Sequence, residues 1–194
     1  MKLSPKTIKI VLSFFVLESL PVILFFVVFS LAGFFPAALT LAGASGASVI
    51  FSILVHKRIP YFAVLVASTT IIAAVATYLT NDPSILITRD TLYYGIFGLA
   101  LLITAHKDVL VLKKMFDTIF GIDDIGWKTL QIRWGIMMLS AGILNGFIGS
   151  ATPLNIWAFY KATLLLVLLV FGCYQLTLSK KHRLDGTNNW GIWS

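Results

Sequence analysis

Long apolar runs, joined by connections that alternate between basic and near-neutral, leave this chain few ways to fold. Thirteen of its fifteen Lys and Arg residues fall in four clusters: Lys2, Lys6 and Lys9; Lys57 and Arg58; Lys107, Lys113, Lys114, Lys128 and Arg133; and Lys180, Lys181 and Arg183. The intervening connections carry only Arg89, and Lys161 alone lies within an apolar run. Basic loops stay cytoplasmic during membrane insertion, so the pattern predicts six crossings with both termini in the cytoplasm. The net charge of +7 then faces the anionic inner leaflet of the bilayer, where each basic residue is worth about 1 kcal/mol. Spread over four loops, the same charge makes a poor nucleic-acid surface.

Composition agrees with the pattern. Hydrophobic residues make up 58% of the 194, charged residues only 12%, and the mean hydropathy is +0.92, outside the range of ordinary soluble domains. The length accommodates six helices of about 20 residues, each long enough for a ~30 Å core, with no room for a soluble catalytic domain. The first apolar run resembles a signal peptide in its basic start, but it contains Glu18 and Pro21 and outlasts the usual apolar segment. It reads as a retained helix. Cys173 is the single cysteine, which leaves no cysteine-based metal cluster; no cofactor and no metal are expected.

The predicted architecture is all-α and polytopic, one transmembrane helical domain over 1–179 with a polar, flexible cytoplasmic tail over 180–194. Spans are expected at about 10–30, 37–55, 61–79, 88–105, 134–151 and 155–178. A tight turn near Gly33 to Pro36 separates the first two, and Asn81–Asp82–Pro83 is a strong turn signal. The fourth span is short, with Arg89 and Asp90 assigned to the outer headgroup region. Between the fourth and fifth, Val109, Leu112, Met115, Phe116, Ile119 and Phe120 form a helical stripe. That predicts an amphipathic helix over 107–120 lying in the cytoplasmic interface, with a loop helix packed on the bundle as the plainer alternative.

Several residues stand out within the spans. Glu18 is the one acid deep in a span, and Pro21, three positions on, removes a helical hydrogen bond; together they suggest a kinked polar site, or simply a protonated or hydrogen-bonded carboxyl. Lys161 has Trp157 one turn earlier, so its stem can lie along the indole while the ammonium snorkels outward. Asn145 and Asn155 add polar groups to the outer half, and a locus shared by Glu18 and Lys161 is a further possibility. Gly43 and Gly46, and again Gly142 and Gly146, form small-residue faces for close helix packing. Gly43–Ala44–Ser45–Gly46 also matches the GxSG pattern of intramembrane serine proteases. That chemistry needs a histidine base beside the serine, and His56, His106 and His182 all fall at or beyond span ends. Packing explains the glycines better, and no enzyme is expected.

The C-terminal third carries a longer pattern: Trp127-x-x-Leu130-x-x-Arg133–Trp134, then Gly142-x-Leu144–Asn145, then Pro153-x-Asn155-x-Trp157-x-x-Tyr160–Lys161. It resembles the signature of the intracellular septation protein A family, the YciB-type inner-membrane proteins of Gram-negative bacteria. Glu18–Ser19–Leu20–Pro21 is similar to that family's opening, and Tyr93–Tyr94 with Phe97 to its fourth span. Gln131 replaces the usual Asn, Tyr160 the usual Phe, and the stretch before the fourth span is Ile87–Thr88–Arg89–Asp90–Thr91. The resemblance implies a multi-pass protein of the bacterial inner membrane that supports envelope integrity, septation and membrane homeostasis. It implies contacts with division, elongation and cell-wall synthesis proteins, and no catalytic residues. A small-solute or lipid carrier, with a polar path near Glu18, Asn145 and Lys161, is the competing reading.

Overall fold

The computed structural model describes residues 19–56 and 61–193. It is all-helical: α1 (Leu20–Ala32), α2 (Phe34–His56), α3 (Tyr61–Thr80), α4 (Ser84–His106), α5 (Val111–Phe116), α6 (Asp124–Ala151) and α7 (Leu154–Lys181). Five of these, α2, α3, α4, α6 and α7, are long and apolar enough to cross a membrane, and α1 is a shorter apolar helix. The first half of the expected first span, with Glu18, lies outside the described residues. So do Lys57, Arg58 and Pro60.

The helix ends follow local chemistry. Gly33, at φ 85°, makes the turn between α1 and α2 by itself, and its N–H donates to Phe29 O at 3.1 Å. Only glycine enters that backbone region without a steric cost. Pro21 occupies the first turn of α1 in the described residues, a position where a missing N–H costs nothing. The helical bond that the expected kink removes involves Leu17, which lies outside the described residues. Before α4, the Asp82 carboxylate accepts from Ser84 N at 2.9 Å, which starts the helix at Ser84 rather than near 88. Before α6, Asp123 Oδ1 accepts from Gly126 N at 2.6 Å, an N-cap that adds ten residues to the expected fifth span.

Residues 91–144 and 166–193 form one compact unit and residues 19–90 and 145–165 another. In the second, Ala37, Ala38, Leu41 and Ala42 of α2 pack with Ala73 and Ala74 of α3 around Phe25, Phe34, Leu86 and Trp157. The close face of α2 is thus built from alanines. Gly43 is exposed with nothing within 4 Å of where a Cβ would stand, and Gly46 meets only the Ile71 side chain at 3.6 Å. The expectation of a close glycine contact is corrected at Gly43, which faces open space, while Gly46 makes only an ordinary side-chain contact rather than a backbone one.

In the first unit the glycine contact is present. A Cβ on Gly142 would stand 2.8 Å from Gly95 N, and one on Gly98 would stand 2.5 Å from Leu139 N. Helices α4 and α6 therefore touch backbone to backbone. Gly95, Gly98 and Gly135 joined Gly142 in this contact without being foreseen. Within the second unit, Gly146 is half-buried and Gly149, one turn further along α6, is the glycine pressed against Ile87.

The segment expected to lie in the interface is short. Helix α5 has six residues, and its Leu112 is buried with Leu101, Ile122 and Trp127, with Phe116 and Phe120 packed against them. Gln131 holds it there: its amide nitrogen donates to Val109 O and Thr104 Oγ1, each at 2.9 Å, and its oxygen accepts from Leu112 N at 3.1 Å. The apolar stripe is spent on the protein core, which is the plainer of the two sequence readings. The tail is ordered as well. Gly121 N donates to Gly191 O at 2.8 Å, Leu184 N to Gly121 O at 2.9 Å and Trp193 N to Ile119 O at 3.0 Å, while His182 Nδ1 sits 3.0 Å from Asp123 Oδ1. Its polar composition hid a set of backbone pairings that compensate for a small apolar area.

On the outside of the helices, Leu54, Ile72, Phe147, Phe159 and Val170 are each more than two-thirds exposed. Such apolar exposure over long helices suits lipid as the surrounding solvent.

Candidate functional site

Three helices of the second unit bring charged groups together inside the apolar layer. Asp90 lies six residues into α4 and Lys161 seven into α7, about 9 and 10 Å from the respective helix starts. Their matched depth allows an ion pair: Lys161 Nζ contacts Asp90 Oδ2, with both side chains less than one-tenth exposed. The other carboxylate oxygen accepts from Arg89 Nη1 at 2.8 Å. Arg89 Nη2 reaches α3, donating to Val66 O at 2.8 Å and Thr69 Oγ1 at 3.1 Å. One carboxylate is thus shared by two cations.

Aromatic faces take up part of that charge. Lys161 Nζ lies 5.1 Å from the centroid of the Trp157 ring and 5.6 Å from that of Phe25, within the range where the ring quadrupole attracts a cation. Trp157 and Phe25 meet edge to face at 6.3 Å. The indole is fixed from its other side, since Trp157 Nε1 donates to Asn145 Oδ1 at 3.0 Å. Asn145 Nδ2 in turn donates to Ile87 O at 3.0 Å. The chain of contacts runs from the α4 backbone through Asn145 and Trp157 to Lys161, and from Lys161 through Asp90 and Arg89 to α3.

Of the residues singled out from sequence, Asn145, Trp157 and Lys161 come together here. Asn155 is exposed and stands apart. Pro21 is buried one turn before Phe25, and Glu18 lies outside the described residues. Lys161 does not snorkel to the surface: the acid that holds it is Asp90. Asp90 and Arg89, expected among the outer headgroups, are 3% exposed and mostly buried respectively. The reason is the earlier start of α4, which carries both residues down into the helix. An acid and a base at equal depth on separate spans was the available signal.

The chemistry open to this cluster is binding and bracing. Lys161 and Arg89 both contact Asp90, and Arg89 also donates to α3, which joins three helices by charge-assisted contacts. Breaking such a buried pair by removing one partner typically costs about 3–5 kcal/mol. Among the described residues no group of three or more His, Cys, Asp or Glu could hold a metal ion.

The intracellular septation protein A model matches residues 14–185. Proteins called inner membrane-spanning protein YciB are similar over most of the chain. The one from Bradyrhizobium sp. (strain ORS 278) is 28% identical, covering 85% of this chain and 83% of its own. Those from Shewanella denitrificans and Yersinia pestis (strain Pestoides F) are 24% and 26% identical, each covering 84% of this chain and 85% and 86% of their own. No solved structure matches. With its matched sequence, long apolar helices and lipid-suited exterior, the chain is a multi-pass inner-membrane protein and belongs to the intracellular septation protein A family.

Proposed function

We propose that the protein is a non-enzymatic component of the inner membrane that supports envelope integrity, septation and membrane homeostasis through contacts with division and cell-wall synthesis proteins. The observation that supports this reading is the buried cluster in which Lys161 and Arg89 both contact Asp90 and Arg89 also donates to α3, as brace residues do. Family membership supports the septation role. In this reading the termini and the basic loops face the cytoplasm, and the cluster lies toward the periplasmic side. Anionic lipid of the inner leaflet surrounds the basic ends of the helices.

A carrier would use the same residues differently, opening them to solute. Asn145 and Lys161 instead engage Ile87, Trp157 and Asp90, which favours the brace. The experiment is in-cell crosslinking with mass spectrometry, beside complementation of a deletion strain under osmotic and cell-wall stress. Recovery of division or wall-synthesis proteins, and a stress defect restored by the wild-type gene, are expected. A deletion strain indistinguishable from its parent, with substrate-dependent flux in proteoliposomes, would replace this reading with the carrier.

A further inference from the structure

A second cation inside a span lacks the partner that Lys161 has. Arg133, on α6, donates from Nη1 to Gln175 Oε1 at 3.2 Å, and its Cζ lies 5.9 Å from the Tyr174 ring centroid. Both partners are neutral. Other cations near the helix ends have acids: Lys113 pairs with Asp124 and Lys128 with Asp108, each at 2.5 Å. Among the described residues no carboxylate pairs with Arg133.

Its depth makes that gap informative. Helix α6 has 28 residues, about 42 Å at 1.5 Å per residue, against a hydrocarbon core of ~30 Å. Arg133 is nine residues from Asp124, about 14 Å along the axis; with the overhang shared between the two ends, that is about 8 Å inside the core boundary. The helix end concerned is the basic one, where α7 finishes at Lys180 and Lys181. A guanidinium at this depth reaches for an anion, and its flexible stem can carry it to the headgroup level.

The seam around it opens outward. Ile136 on α6 and Tyr174 on α7 are each more than half exposed, and Cys173 and Thr177 beside Tyr174 are exposed. Below the seam, Trp134 and Phe171 pack edge to face at 5.0 Å, a firm apolar floor. Donors remain at the mouth in the other N–H groups of Arg133 and the Tyr174 hydroxyl, while the buried Gln175 amide is occupied, donating to Phe171 O at 3.4 Å and accepting from Arg133. A planar fork of N–H groups with a hydroxyl beside it matches the oxygens of a phosphate.

We propose that Arg133 and Tyr174 form a binding site for the phosphate of an anionic lipid headgroup, with Gln175 holding the guanidinium from behind and the acyl chains lying along the exposed seam of α6 and α7. The site stands independently of the envelope role, so either can fail alone. The test uses delipidated full-length protein in detergent, titrated with phosphatidylglycerol, phosphatidylcholine or inorganic phosphate, with retained lipid counted by native mass spectrometry. Phosphatidylglycerol should be held under conditions that strip phosphatidylcholine. Arg133→Gln should weaken that retention about tenfold or more, a loss of at least ~1.4 kcal/mol. Arg133→Lys should fall between, and Lys114→Gln, at an exposed lysine, should leave it unchanged. Equal retention by wild type and Arg133→Gln overturns the proposal. Displacement of the lipid by millimolar inorganic phosphate assigns the site to a soluble anion and overturns the lipid reading. A folding failure of Arg133→Gln leaves a direct measurement on the wild type, using phosphatidylglycerol with a photoreactive headgroup. Adducts within residues 173–177 support the site; adducts confined to residues 180–193 refute it.

Discussion

Charge balance in the Arg89–Asp90–Lys161 cluster predicts an asymmetry that simple contact counting would miss. Asp90 is the carboxylate that both cations contact. Asp90→Asn takes that shared carboxylate from Arg89 and Lys161 at once. Lys161→Met leaves a neutral Arg89–Asp90 pair with its 2.8 Å contact intact. Removing the counter-charge of a buried ion costs about 3–5 kcal/mol, whereas losing one charge-assisted hydrogen bond costs about 1.5–3 kcal/mol. Lys161→Met also relieves the desolvation of an ammonium that is 9% exposed, which places its net loss near the bottom of that range. For a chain of this length 1 kcal/mol corresponds to about 2–4 °C of melting temperature. Asp90→Asn should therefore melt roughly 6–20 °C below wild type, and Lys161→Met only about 3–6 °C below. The double variant should lose clearly less than the sum of the two, since the residues share a contact. Thermal unfolding of the four proteins in one detergent measures all of this. A Lys161→Met loss equal to or larger than the Asp90→Asn loss would refute the charge argument, because the cluster would then be held by the lysine's packing alone.

Three further expectations follow from other parts of the molecule. Gly98→Ala should destabilise the protein by about 1–3 kcal/mol through overpacking, because its Cβ would stand 2.5 Å from Leu139 N. Gly43→Ala, with open space at the same atom, should be neutral or gain up to about 1 kcal/mol of helix propensity; equal melting temperatures for the two variants would contradict the backbone contact. At the tail, burial pushes the Asp123 carboxyl up, but the Gly126 N–H and His182 together hold it below the usual carboxylate range. A depressed value means the contribution is complete above the unfolded carboxylate value of ~3.9 and is lost as pH falls through the lower, folded one. Hydrogen exchange at the Gly121 and Leu184 amides should stay flat from about pH 7 to 5 after correction for intrinsic rates, and rise only under stronger acid; Asp123→Asn should show fast exchange throughout. Finally, C-terminal reporter fusions should be active only in the cytoplasmic sense and fusions at Asn81 only in the periplasmic sense, and the reverse would invalidate the basic-loop argument.

The parts of the fold that were legible in the sequence are those where one physical term dominates. Apolar runs near 20 residues announced the long helices, and Asn81–Asp82–Pro83 announced the turn where Asn81 takes φ 54°. Helix starts were misjudged where a single side chain decides them. Asp82 and Asp123 each accept a backbone N–H and so begin α4 and α6 before hydropathy rises. Helix α5 was misjudged for a different reason: an apolar stripe says that a face is buried, not whether lipid or protein buries it. Here Gln131 decides, because its amide meets the backbone at Val109 and Leu112 and ties the segment to α6. The glycines divide in the same way. Gly142 makes a backbone contact where its small-residue pattern lies, yet Gly43 sits in a comparable pattern with open space beside it, since spacing along one helix does not reveal the partner's face.

The candidate site shows where sequence reasoning could have gone one step further. Lys161 was read against Trp157, its neighbour on the same helix, and that contact is real. The decisive partner lay 71 residues away in sequence, beyond any local pattern. It was still open to depth counting from the two outer turns. Asp90 is the seventh residue of α4 and Lys161 the eighth of α7, so both stand at nearly one level. An isolated charge inside the bilayer is costly enough that opposite charges at equal depth on separate spans should be treated as partners before either is assigned to the surface. The same rule gives Arg133 its significance. Counting from the basic ends finds no acid at its level among the described residues, and the proposed lipid phosphate is an anion that would answer its charge.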